Sequence, residues 1–239
     1  MKVGIFTIFA VPNYGAMLQS HGLSSYLRGE GLDAEVINYR QPALEDYFRF
    51  KWSFPPAVNH WRRLRNCDRF VENSIPNGSE IVRSLDEFQQ HVSQYDAFIT
   101  GSDQVWFTGP VQYYDRMFFL DFPASGKRKI SYAASAGGNE NFGEFEDRVR
   151  AALRDFDHLG LRDAHTESLV RPLTDKAITR TVDPVFLHGF EELLSDKSPE
   201  SEPYVLVFGD FRGSLSQVIR EVRDSTGIKK VITLQYPCA

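Results

Sequence analysis

Ala97-Phe98-Ile99-Thr100-Gly101-Ser102-Asp103-Gln104-Val105-Trp106 is followed, within the stretch Tyr95 to Gly137, by Lys129-Ile130-Ser131-Tyr132-Ala133-Ala134-Ser135-Ala136-Gly137. Ala97 to Thr100 is a short apolar run with β-branched residues between Asp96 and Gly101, the pattern of a buried strand. Gly101-Ser102-Asp103 then falls just past the carboxyl end of that strand, where ligands bind in an open α/β sheet. Ile130 to Ala134 repeats the arrangement and ends in small residues, Ser135-Ala136-Gly137, that allow close backbone approach. Gly101 and Gly137 read equally as turn glycines and Asp103 as a cap. Two such strand ends close together in the chain favour a site.

Outward from this stretch the alternation continues on both sides. Lys2 to Ala10 is predicted as the first strand, apolar nearly throughout, as a parallel strand covered on both faces should be. Pro12-Asn13-Tyr14-Gly15 turns the chain into a helix with Ala16, Leu23, Tyr26 and Leu27 on one face, ended by Gly29-Glu30-Gly31. A strand, a glycine-containing turn and a helix start can cradle an anion, and Asn13 can equally serve only as the helix cap. Asp33 to Tyr39 is predicted as strand two. The helical stripe Phe145, Val149, Ala152, Leu153 and Phe156 leads to strands at His158–Leu161 and 178–182, with a short helix at 164–171 between them. Arg162, at a strand end, is a candidate for gripping a carboxylate or phosphate bidentately, or else for an ion pair with a neighbouring acid. Asp183 is read as a structural residue at a domain junction.

Two regions break the pattern. Residues 43–94 hold Tyr47, Phe48, Phe50, Trp52, Phe54 and Trp61 around Pro55-Pro56, then Arg62, Arg63, Arg65 and Arg69. This is either a helical insertion with one packed and one solvated face, or a groove for a glycan or its lipid carrier. Residues 189–203 have the polar composition of a linker. Tyr204–Gly209, the stripe Leu215, Val218, Ile219 and Val222, and Lys230–Leu234 then make one βαβ unit, too small to bury a sheet alone.

Gly101-Ser102-Asp103-Gln104-Val105-Trp106, Phe118-Phe119-Leu120-Asp121-Phe122 and Ile130 to Gly137 together resemble the polysaccharide pyruvyl transferase family. Asn13-Tyr14-Gly15-Ala16 with Leu18-Gln19, Arg162-Asp163 and Asp183-Pro184-Val185-Phe186-Leu187 fit the same family in the same order. The resemblance implies an α/β chain of the glycosyltransferase-B type: a Rossmann-like parallel sheet domain over 1–188, then the start of a second, incomplete Rossmann-like domain over 204–239. It implies transfer of a pyruvyl group, as a ketal, from phosphoenolpyruvate to sugar hydroxyls of a cell-surface polysaccharide or its lipid-linked precursor, with no cofactor and no metal. Asp103 becomes the candidate acid/base. Asn13, Tyr14, Gly15, Gly101, Ser102, Gln104 and Ser135 line the substrate cradle, and Arg162 holds an anion. The arginine and histidine region of the family's C-terminal domain has no counterpart here, so little turnover by this chain alone is expected. A nucleotide-sugar glycosyltransferase of the same architecture and a non-catalytic glycan-binding half-cleft are the rival readings.

Composition sets the outer limits. The chain has 239 residues, 42% hydrophobic and 25% charged, which suits one large globular domain or slightly more. A net charge of -5 gives no general pull toward nucleic acid or anionic membranes, so an anion site must be built locally. Cys67 and Cys238 form no metal pattern, and a reduced, cytoplasmic protein, or one peripheral at the inner face of the membrane, is expected. Self-association through the exposed face of the last βαβ unit is expected as well.

Overall fold

The computed structural model describes residues 1–51, 58–76, 78, 80–109, 114–195, 200–208 and 215–234. The chain divides into two compact units, Met1–Gly189 and Phe190–Ala239.

The larger unit is an α/β fold around a six-stranded, wholly parallel sheet in the order β2-β1-β3-β4-β5-β6. The strands are β1 (Lys2–Phe6), β2 (Asp33–Val36), β3 (Ala97–Thr100), β4 (Arg128–Ala134), β5 (His158–Leu161) and β6 (Ile178–Arg180). Helices α1 (Tyr14–Gly29), α2 (Pro42–Lys51), α3 (Val58–Ser74), α4 (Leu85–Gln89), α5 (Glu146–Arg154) and α6 (Ala164–Val170) connect them. Strand order reverses between β1 and β3, and that reversal opens the crevice at the carboxyl ends of a doubly wound sheet.

Alternation along the strands divides the core into two layers. Val3 and Ile5 of β1 and Ala97 and Ile99 of β3 pack on one face with Met17 and Leu23 of α1 and with Cys67 and Val71 of α3. Phe6 and Phe98 point to the opposite face and join Phe88, Trp106, Phe119, Leu153 and Phe156. Cys67 and Val71, one turn apart and followed by Ile75, form the packed stripe of α3, while Arg65 and Arg69 are exposed. Trp52, Phe54 and Pro55-Pro56 lie outside the described residues, and so do the side chains of Tyr47, Phe48, Phe50, Trp61, Arg62 and Arg63. The proposed glycan groove falls on them.

The first two strands are shorter than their apolar runs predict. β1 stops at Phe6, paired with Thr100, and β2 stops at Val36, paired with Ile5. Beyond those points the neighbouring strands have ended, so Thr7–Ala10 and Ile37–Arg40 find other partners. Tyr39 bridges to Val82, and the Arg40 N–H donates to the Val82 carbonyl at 2.9 Å. Leu85, Phe88 and Val92 have the spacing of one helical stripe, but α4 ends at Gln89, and Val92 begins a single 3₁₀ turn.

The smaller unit holds β7 (Tyr204–Phe208), α7 (Leu215–Thr226) and β8 (Lys230–Leu234), with β7 and β8 paired in parallel. A 3₁₀ turn at Glu191–Leu193 interrupts the segment read as a linker. Among its described residues Val207 is buried, whereas Leu206 and Phe208 on the alternate face of β7 are exposed. No helix among the described residues is long and apolar enough to cross a membrane.

Candidate functional site

The loop after β3 and the loop after β4 form one hydrogen-bonded body. Ser135 donates its N–H to the Asp103 carbonyl at 3.1 Å, and Trp106 donates its N–H to the Ser135 carbonyl at 3.0 Å. Trp106 is fully buried, and its Nε1 donates to the Phe118 carbonyl at 3.0 Å, which also accepts the Thr100 hydroxyl at 2.7 Å. Its ring stacks on Phe119 with centroids 5.4 Å apart. These contacts explain why the three sequence stretches at 101–106, 118–122 and 130–137 occur together.

Gly101 is required where it stands. Its φ is +113°, and a Cβ there would lie 2.1 Å from the Tyr132 carbonyl oxygen. The close approach of β3's end to β4 swings the next residues over the sheet edge. Asp103 follows in the left-handed region, φ +74°, half-buried, and its Oδ1 accepts the Gln104 N–H at 2.7 Å. Burial pushes the Asp103 carboxyl above the ordinary range. The Gln104 N–H and the Arg162 charge pull it back, and the Asp183 charge raises it further.

Asp103, Arg162, Asp183 and Ser102 form a charged cluster over the ends of β3 and β5. Arg162 follows β5 directly, and its Nη1 lies 3.3 Å from Asp183 Oδ2. The same oxygen accepts the Ser102 hydroxyl at 3.3 Å, while Asp183 Oδ1 accepts the Val185 N–H at 3.2 Å. Asp183 thus caps the turn Pro184–Phe186 and also belongs to the cluster. The sequence marks Asp183 as a structural residue at a domain junction, and no local pattern signals its contact with Ser102. Of the two readings the sequence leaves open for Arg162, anion grip or ion pair with a neighbouring acid, the pair with Asp183 is present here.

Other predicted residues are committed to the scaffold. The Ser135 hydroxyl is buried, donates to Asp163 Oδ2 at 2.8 Å and accepts the Gly137 N–H at 3.1 Å. These two contacts tie the Ser135 hydroxyl to the scaffold between the loops after β4 and β5. Asn13 caps α1, its Oδ1 accepting the Ala16 N–H at 3.2 Å. Gly15 sits in the first turn of α1, close to that Asn13 oxygen, and Tyr14 is partly exposed at the helix start.

A cavity of about 510 Å³ opens at the ends of β1 and β2. Thr7, Ile8, Phe9, Tyr39, Arg40 and Phe118 are among its walls. A second lobe of about 320 Å³ shares Ile8, Gln41, Leu44 and Phe118 and adds Gln104 and Phe107. Of the predicted residues, Gln104 reaches this space. Thr7 ties the two strand ends at the reversal together, its hydroxyl donating to the Ser102 carbonyl at 3.2 Å. The buried amide of Gln19 in turn donates to Thr7 Oγ1 at 2.8 Å. At the back wall the Tyr39 hydroxyl donates to Asp115 Oδ2, and Met117 gives its N–H to Asp115 Oδ1 at 2.9 Å. Burial raises the Asp115 carboxyl, against the Tyr39 and Met117 hydrogen bonds that lower it. Thr7, Tyr39, Arg40 and Asp115 carry no local pattern that would mark them. Only their places past the ends of strands and across the fold bring them together.

The model of the polysaccharide pyruvyl transferase family matches residues 13–234. The chain belongs to that family. Its members are transferases, and the residues matched run from the α1 cap through both units. No curated protein matches the chain. Among solved structures, the S. aureus MnaA–UDP co-structure is similar at a TM-score of 0.41 and 10% identity. The alignment covers 98% of this chain and 62% of that one, so this pyruvyl transferase family member spans less than two thirds of that neighbour's length.

Proposed function

We propose that this chain carries the sheet-end crevice of an enzyme that transfers a pyruvyl group, as a ketal, from phosphoenolpyruvate to sugar hydroxyls of a cell-surface polysaccharide or its lipid-linked precursor. The family match over residues 13–234 is the observation that carries the reading. The position of Asp103 agrees with it: a carboxyl of raised proton affinity at the strand reversal suits a group that exchanges protons with substrate. In the reaction the methylene carbon of phosphoenolpyruvate takes up one proton and becomes a methyl group, leaving an oxocarbenium-like centre. Two sugar hydroxyls add to that carbon, and inorganic phosphate departs. One hydroxyl proton balances the methyl group and the other leaves with the phosphate. Asp103 is the proposed shuttle for one of these protons, and Arg162 and Asp183 hold its field in place.

On the same reading the smaller unit is the opening of a second Rossmann-like domain of the glycosyltransferase-B type. The exposed apolar residues of β7 make it the proposed surface for self-association. The test is direct. Phosphoenolpyruvate should raise the melting temperature of the chain where nucleotide sugars do not. With a glycan acceptor, any turnover should be slow and should yield a pyruvylated product and inorganic phosphate. Stabilisation by nucleotide sugars alone would sink the proposal.

A further inference from the structure

Arg40 lies just beyond β2, and its guanidinium is fixed on several sides. Nε donates to Asn38 Oδ1 at 2.9 Å, Nη1 donates to the Ala10 carbonyl at 3.3 Å, and Cζ sits 5.2 Å from the centre of the Phe9 ring. The side chain is half-buried, and burial is the main force lowering its pKa. Among the described residues no carboxylate pairs with it. Glu45 and Asp68 act on it from a distance, and Glu45 is already held by Arg83 through contacts of 3.0 and 3.3 Å. Nη2 has no hydrogen-bond partner among the described residues. A guanidinium stays charged even when burial opposes it, and a desolvated charge without a counter-ion costs free energy. Here that charge is pre-oriented on the wall of a cavity large enough for a small molecule, about 510 Å³, whose other walls mix apolar Ile8, Phe9 and Phe118 with charged Glu45, Asp46 and Arg83.

From this geometry we infer that Arg40 is an anion-binding residue of the crevice, receiving the phosphate or carboxylate group of a small ligand on its free Nη2 edge. The inference rests on the crevice being the substrate site, not on which group is transferred. It also supplies the fixed cation that Arg162, engaged with Asp183, does not offer. The anion can belong to an enolpyruvyl donor or to the diphosphate of an acceptor or nucleotide.

Calorimetric titration of the wild-type protein with inorganic phosphate, phosphoenolpyruvate and UDP separates these sources. At least one should bind, and Arg40→Gln should weaken that binding roughly tenfold to a hundredfold, the range for lost charged hydrogen bonds. Arg40→Lys, which keeps charge but not the fork, should fall between. Arg128→Gln, an exposed arginine at the opposite end of the sheet, should bind as wild type does. Circular dichroism checks the fold of each variant. If Arg40→Gln does not fold, phosphate should still slow labelling of Arg40 by phenylglyoxal in the wild-type chain, read by peptide mass. Labelling at an unchanged rate would overturn the inference, as would binding that Arg40→Gln leaves intact or a wild-type protein that binds none of the three. Arg40-dependent binding of UDP or phosphate without phosphoenolpyruvate upholds Arg40 and removes the pyruvyl reading. Phosphoenolpyruvate binding that ignores Arg40 does the reverse.

Discussion

Arg162 Nη1 stands 3.3 Å from Asp183 Oδ2, and that oxygen also accepts the Ser102 hydroxyl. The pair joins the end of β5 to the turn after β6 and sets the field in which Asp103 titrates. Asp183 raises the Asp103 carboxyl and Arg162 lowers it.

Asp183→Asn should therefore leave the turn capped, since asparagine caps as well as aspartate, while removing a negative charge near Asp103. The Asp103 carboxyl should fall toward its ordinary range, and the limb of the pH–rate profile that reports it should move to lower pH. Asp183→Ala should in addition cost about 1–2 kcal/mol through the lost cap, read as a lower denaturation midpoint. An unmoved limb in Asp183→Asn would separate the two carboxyls.

Asp103→Asn should lower pyruvyl transfer by about 10²- to 10⁴-fold without unfolding the chain. Asparagine tolerates the left-handed backbone at this position and can still accept the Gln104 N–H. Stability supplies a second readout with a definite sign. A carboxyl whose folded pKa lies above its unfolded one costs stability once the pH rises past the unfolded value, and costs none below it. The variant should melt at or above the wild-type temperature at pH 7, with the gap closing below about pH 4. A rate within a few-fold of wild type would return Asp103 to a turn-forming role.

Gly101→Ala should be among the most damaging single-methyl changes in the chain. The added carbon would meet the Tyr132 carbonyl at 2.1 Å, in a backbone conformation that side chains rarely adopt. A loss of about 3 kcal/mol or more is expected, measured by chemical denaturation. A near-neutral result would mean that the loop after β3 can move away from β4.

Ser135→Ala tests a position read from sequence as part of the cradle. Its hydroxyl joins Asp163 to the Gly137 N–H in a buried setting, so the variant should lose about 1–3 kcal/mol. Its turnover per folded molecule should stay near the wild-type value. A stable variant with a collapsed rate would put Ser135 back in contact with substrate.

The alternation of strand and helix was legible because it is written in local periodicity. Ala97–Thr100 and His158–Leu161 coincide with the predicted β3 and β5, and each apolar run is bounded by its own turn residues. The motif at 101–106 was readable for the same reason, as a strand end followed by glycine. Where β1 stops was not legible, since Thr7–Ala10 is as strand-like as the residues before it. Its neighbours end at Val36 and Thr100, and that decides it.

The sequence by itself determined that the chain is built as a parallel α/β sheet, that Asp103 stands at a strand end, and that its motifs belong to one family. Only the tertiary structure decided that Ser102 and Asp183, 81 residues apart, share a hydrogen bond, that Arg162 is paired with an acid, and that Arg40 has no carboxylate partner among the described residues. Periodicity survives in a list of residues because it depends on neighbours along the chain. An ion pair, or a cation left without one, depends on distances across space between atoms that the chain brings together only when it folds.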